Sequence, residues 1–213
     1  MTQDDAGRSW IGTGPRWPAA LILAATVVQL AIAAFVPDLP QFEGKGFGAR
    51  LVAYPAMMLL VPVIWAVRNS RDRGNPPWTA FALIMAPFLI DVTGNTADLY
   101  DSVVWWDDAN HFVNWFLLCA GLGLLVARTE VAPRWALAML IAGIGALLAI
   151  GWELGEWYTF IRHGTELGTA YEDTLGDEVL GTLGGALAGL LVAWRSRPAT
   201  VLRSAPGSAA APP

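Results

Sequence analysis

An all-α fold is expected from this sequence: a polytopic helical membrane bundle of about six transmembrane helices, with both termini cytoplasmic. Three observations point to it. The 213 residues are 55% hydrophobic and only 15% charged, which is too apolar for an ordinary soluble domain. Six apolar runs reach the roughly 20 residues that a helix needs to cross a bilayer. Ten of the 13 Lys and Arg residues fall on one set of alternate loops, the bias that marks the cytoplasmic side.

The first span is expected at about 18–37. Its apolar stretch is longer than the h-region of a signal peptide, and Asp4 and Asp5 dilute the basic start, so it reads as a retained signal anchor. The second and third spans are expected at about 50–67 and 78–100, and the last three at about 109–127, 134–160 and 173–194. Residues 1–17 then form a cytoplasmic N-terminal segment and 18–194 the transmembrane domain. Residues 195–213, rich in Pro, Ala and Ser, form a disordered cytoplasmic tail.

The basic side carries Arg8, Arg16, Arg68, Arg71, Arg73, Arg128, Arg134, Arg195, Arg197 and Arg203; the opposite side has only Lys45, Arg50 and Arg162. Aromatic belts are expected at both interfaces: Trp17, Trp65, Trp78, Trp135 and Trp194 inside, and Trp105, Trp106, Trp152, Trp157, Tyr54, Tyr100, Tyr158 and Tyr171 outside. The acids reverse the bias, with only Asp4, Asp5, Asp72 and Glu130 on the cytoplasmic side. The net charge of −5 is thus a property of the outer face, which attracts cations and not nucleic acid. Cys119 is the only cysteine, so no internal disulfide is expected.

Four spans carry acids or a histidine at their outer ends, although an ionisable group at the centre of a membrane helix costs about 2.5–3.5 kcal/mol. In the third span Asp91, Asn95 and Asp98 share a face at i, i+4, i+7, with Pro87 freeing a backbone carbonyl nearby; Asp98 reads equally well as a solvated residue at a frayed end. In the fourth, Asp107 and His111 stand at i, i+4, followed on the same face by Asn114. That spacing lets a carboxylate and an imidazole ligate one ion, or lets the carboxylate orient the imidazole. Asp108 points elsewhere and caps the helix start.

In the fifth span Glu153 is deeper than Glu156, and Glu156 also reads as an interfacial carboxylate paired with Arg162. In the sixth, Asp173 and Asp177 lead into a face of Gly181, Gly184 and Ala188, with Gly185 and Gly189 at its edge. Small residues four apart let another helix approach closely, so both acids are expected to point into the bundle. The alternative is a glycine face for packing alone, with Asp173 as a cap.

Helical bundles build metal sites from side chains on facing helices. Asp91, Asp107, His111, Glu153, Asp173 and Asp177 are the candidate ligands of a divalent ion, and His111, Glu153 and Asp177 the candidate catalytic groups. Oxygen donors with one nitrogen suit Mg, Mn, Ca, Fe or Zn. Asp98, Asp101, Asp108, Glu156, Glu166, Glu172 and Glu178 read as interface acids. No phosphate-binding loop, nucleophile elbow or H-E-x-x-H motif occurs.

Asp107-x-x-x-His111-Phe112, the acids of the fifth span, and Asp173-x-x-x-Asp177 with the glycines after it resemble the YjdF-like family of uncharacterised bacterial inner-membrane proteins. The resemblance covers residues 90–200. It implies a multi-pass protein of the bacterial cytoplasmic (inner) membrane with a polar site, and it implies no established activity. Where that family carries a tyrosine before the first Asp, this chain has Trp106, which leaves a phenol there in doubt. A weaker similarity, to VanZ-like membrane proteins, rests on the acid-then-glycine pattern of the sixth span.

Three functions fit these features. One is a metal-dependent hydrolase or transferase acting on a lipid or lipid-linked substrate at the outer leaflet, where a metal polarises a phosphoryl or acyl oxygen or activates a water. Against it, no Lys or Arg lies in the cluster, Arg50 and Arg162 being the nearest. Another is a cation or proton transporter or sensor, although the cytoplasmic halves of the spans lack acids and no inverted repeat is visible. The third is a structural membrane protein whose acids are interhelical hydrogen-bond glue. The lipid bilayer is the expected partner, and the oligomeric state is not legible.

Overall fold

The structure, a computed structural model, describes residues 14–36, 39–43, 45–69, 75–129, 131–159, 161–163 and 166–196. Among them are seven α-helices and no strand. Six are long and apolar enough to cross a membrane: α1 (Trp17–Phe35), α2 (Phe47–Arg68), α3 (Trp78–Thr96), α5 (Trp106–Ala127), α6 (Arg134–Thr159) and α7 (Ala170–Arg195). The remaining helix, α4, is a single turn, Leu99–Ser102. The protein is therefore a polytopic helical membrane bundle. The N-terminal segment up to residue 13 and the expected disordered tail from residue 197 lie outside the described residues.

Four boundaries differ from the sequence expectation by about a turn, among them the start of the second span at Phe47. The third span ends at Thr96 and not near 100, because Asp98 adopts the left-handed conformation at φ 59, which Asp tolerates better than most residues. The fourth span begins at Trp106 and the sixth at Ala170, each about a turn early. Acidic first turns, with Asp107 and Asp108 on α5 and Glu172 and Asp173 on α7, suit the positive end of a helix dipole, so the polar residues extend these helices.

The heart of the bundle is α5, α6 and α7, with α7 packed along both of the others. Their contacts repeat every four residues, which is about one turn of each helix. His111, Glu153 and Asp177 meet in one layer. Beneath it a methyl placed on Gly181 would meet the Trp115 ring and Ala149, and one on Gly145 would meet Cys119 and the Gly185 backbone. In the next layer Gly123 and Gly189 both abut Ile141. Residue numbers rise together on α5 and α7 and fall on α6, so α6 runs antiparallel to two parallel neighbours.

Glycine is required at the closest of these approaches. A Cβ on Gly184 would collide with the Phe112 carbonyl oxygen and the Phe116 amide of α5. In lipid, where tails are as apolar as leucine, such close packing drives helix association in place of the hydrophobic effect. Large apolar side chains such as Leu60, Leu147 and Leu190 stay exposed, as lipid-facing positions allow.

The other half of the bundle carries the far wall of the site. α3 packs on α5 and α1, and α2 lies mainly against α1. Tyr54 meets Phe88 edge-on at 5.1 Å, within a cluster of Leu30, Phe42, Phe47, Tyr54 and Val92. Tyr54 is only 3% exposed. It is not the interfacial anchor that its position suggests, and Tyr100, Trp106 and Trp152 are likewise partly buried. Trp105, Trp157, Tyr158 and Tyr171 are exposed, in keeping with an interfacial place.

Candidate functional site

His111 stands between carboxylates from three helices. Its Nε2 lies 3.7 Å from Asp107 Oδ1 on α5 and 3.6 Å from Asp177 Oδ1 on α7. Its Nδ1 lies 3.9 Å from Glu153 Oε1 on α6. The side chains of His111, Glu153 and Asp177 are 11%, 6% and 5% exposed, and that of Asp107 is 44% exposed. The group is thus closed on the protein side and open past Asp107. Trp115, itself buried, floors it.

These separations exceed hydrogen-bond range, about 3.2 Å for an N–H donor. They match the edges of a coordination shell: two ligands about 2.1 Å from an ion and about 110° apart lie about 3.4 Å from each other. One ligand atom from each of Asp107, His111 and Asp177 falls within 4.8 Å of the others. Buried carboxylates are ordinarily paired or bound to metal. Among the described residues, the ion pairs of Glu153 and Asp177 run to His111 alone. The donor set, two oxygens and one nitrogen with an open side, can hold a divalent cation in the manner of a catalytic site.

The sequence-derived candidates do not all gather here. Asp107, His111, Glu153 and Asp177 do. Asp173, one turn before Asp177, is exposed and stands outside the group. Of the two acids of α7, Asp177 is buried beside His111, and Asp173 stands on the wall of the cleft that Asp107 and His111 also line.

Asp91 joins a second group. Its Oδ2 accepts from Tyr54 at 2.7 Å and from Arg50 Nη1 at 3.1 Å, and its Oδ1 accepts from Tyr100 at 2.7 Å. The Asn110 amide donates to the Tyr100 oxygen, and Asn114 Nδ2 donates to Asn110 Oδ1 at 2.8 Å. The Arg50 guanidinium also lies 5.5 Å from the Phe47 ring centre and 5.7 Å from that of Tyr54. Burial first, and then the Asp91 charge, raises the Tyr100 pKa well above its usual value of 10. The phenol therefore stays protonated and keeps donating.

Asp107 and His111 of the first group and the Asp91 group line one cleft of about 600 Å³, whose walls also include Trp152 and Glu156. Lys45 stands on it too, bound to Asp101 at 2.6 Å. Arg162 does not line it; its guanidinium lies 3.6 Å from the Tyr158 ring centre.

Sequence reasoning passed over Asn110 and treated Tyr54 and Tyr100 as interface markers. Two of these had a signal. Asn110 shares the α5 face of Asp107, His111 and Asn114, and Tyr54 stands at i+4 from Arg50 on α2. Tyr100 had none, because it lies beyond the helix break.

Among known proteins the chain matches the family model described as predicted membrane protein (DUF2238), over residues 17–198. No curated protein and no solved structure matches. The matched region spans all six membrane-crossing helices and both groups of the cleft, and on that basis the chain belongs to the DUF2238 family of membrane proteins.

Proposed function

We propose that this protein is a metal-dependent hydrolase or transferase of the bacterial inner membrane, acting on a lipid or lipid-linked substrate at the outer leaflet. The observation that carries the reading is the convergence of Asp107, His111 and Asp177 at ligand–ligand spacing, open on one side only. These three hold the ion. When bound, the ion supplies Lewis acidity toward a phosphoryl or acyl oxygen. The cleft orients the substrate, and Trp115 excludes water from below. The excess of Lys and Arg on the other face supports an outer location, and the YjdF-like and VanZ-like resemblances concern the same acids.

Two observations favour this over the alternatives. Transport along the three-helix axis needs polar groups below the site, yet the layers there hold Trp115, Ala149, Cys119, Ile141 and glycines. Interhelical glue needs hydrogen-bond distances. The Asp91 group has them, whereas the two aspartates stand 3.7 and 3.6 Å from His111 Nε2, beyond that range.

The test is metal content of the purified protein after supplementation with Mg, Mn, Ca, Fe or Zn. Wild type is expected to retain one ion per chain, and His111→Ala and Asp177→Asn to lose it while staying folded. Wild type without metal under every supplement would sink the proposal.

A further inference from the structure

We infer that Glu153 is the positioning residue of His111 and not a ligand of the ion: it accepts a hydrogen bond from Nδ1–H and so turns the Nε2 lone pair toward Asp107 and Asp177. The inference rests on the metal-site reading for its consequence, but it stands on separate geometry. The two ring nitrogens face different partners. Nε2 looks toward the two aspartates, and Nδ1 looks, among the described acids, toward Glu153 alone. An ion seated on Nε2 lies on the far side of the ring from Glu153, and the group of mutually close ligand atoms includes no atom of Glu153.

Nδ1 is buried and has no hydrogen-bond partner within bonding distance among the described residues. Such a group calls for an explanation, because an unpaired buried donor carries its full desolvation cost. Glu153 supplies one. Its carboxylate is buried in the same layer, 3.9 Å away, and a movement of about 1 Å brings the pair into hydrogen-bond range. Glu153 sits within α6 directly above Ala149, which packs on Gly181, so its backbone is held by close packing of α6 on α7. A metal-bound imidazole ordinarily donates its other N–H to a carboxylate, which sets the tautomer and raises the basicity of the ligating nitrogen.

The test uses full-length protein in detergent with three readouts. Glu153→Ala is expected to weaken metal binding about 10–100-fold, and Glu153→Gln, which keeps an acceptor oxygen, to restore most of it. X-ray absorption should show the same number of nitrogen and oxygen neighbours in wild type and both variants. The third readout needs no metal: the ¹⁵N-labelled His111 should show a slowly exchanging Nδ1–H in wild type that is absent in Glu153→Ala.

Unchanged affinity in Glu153→Ala would overturn the inference. So would a shell that loses one oxygen in both variants, since Glu153 would then be a ligand. If wild type binds no metal, the enzyme reading falls by itself, and the Nδ1–H signal alone decides the role of Glu153.

Discussion

Tyr100 donates a 2.7 Å hydrogen bond to the carboxylate of Asp91, nine residues before it. On an unbroken helix, residues nine apart lie on opposite faces and about 13 Å apart along the axis. The left-handed Asp98 breaks the helix and folds α4 back over the end of α3. One backbone dihedral thus brings a phenol into the cleft. Trp106 packs against Tyr100 edge-on at 6.4 Å.

Removing that phenol should be felt. Tyr100→Phe deletes a hydrogen bond to a charged group, worth about 1.5–3 kcal/mol, and should lower the unfolding midpoint in detergent accordingly. A change within error would mean that the carboxylate is satisfied without it.

The same phenol sets a pH dependence. A group whose pKa is raised on folding stabilises the fold fully below its unfolded pKa, about 10 for tyrosine, and loses that contribution as pH rises further. Burial, followed by the Asp91 charge, raises the Tyr100 pKa. Folded wild type and Tyr100→Phe should therefore give the same phenolate absorbance up to about pH 11. An extra wild-type phenolate titrating near pH 10 would contradict this.

The Arg50–Asp91 pair predicts a strong coupling. Both side chains are 17% exposed, and breaking a buried pair from one side costs about 3–5 kcal/mol because the other charge is stranded. Asp91→Leu should lose about that much, toward the lower end at this exposure, whereas Arg50→Leu combined with Asp91→Leu should recover a good part of it. A double-mutant cycle measures the difference; additive losses would refute the coupling.

Glycines of α7 should divide by contact. Gly184→Ala forces a methyl against the α5 backbone at Phe112 and should cost about 1–3 kcal/mol, displacing Asp177 from His111 and weakening metal retention as well. A methyl on Gly176 meets nothing within 4 Å, so Gly176→Ala should be neutral or slightly stabilising. Thermal unfolding of the two variants side by side is the check, and equal losses would contradict the assigned packing.

Much of this arrangement was legible in the sequence. Apolar runs of membrane-spanning length place six helices to within a few residues, since a bilayer leaves the backbone no other way to satisfy its hydrogen bonds than a helix or a closed barrel. The i, i+4 spacing of Asp107 and His111, and the small residues after Asp177, follow from helical periodicity alone.

What the sequence by itself determined, then, is the helical bundle and the short-range faces: which residues on one helix stand together. Only the tertiary structure decided between helices. It set Asp177, His111 and Glu153 in one layer through glycine contacts that fix the register of α5, α6 and α7. It took Asp91 out of that set by giving it Arg50, Tyr54 and Tyr100, and it set Asp173 on the exposed wall of the cleft. The physical reason is range. Spacing along one helix is local geometry, whereas the partner of a carboxylate depends on how closely two backbones approach and where a chain turns back.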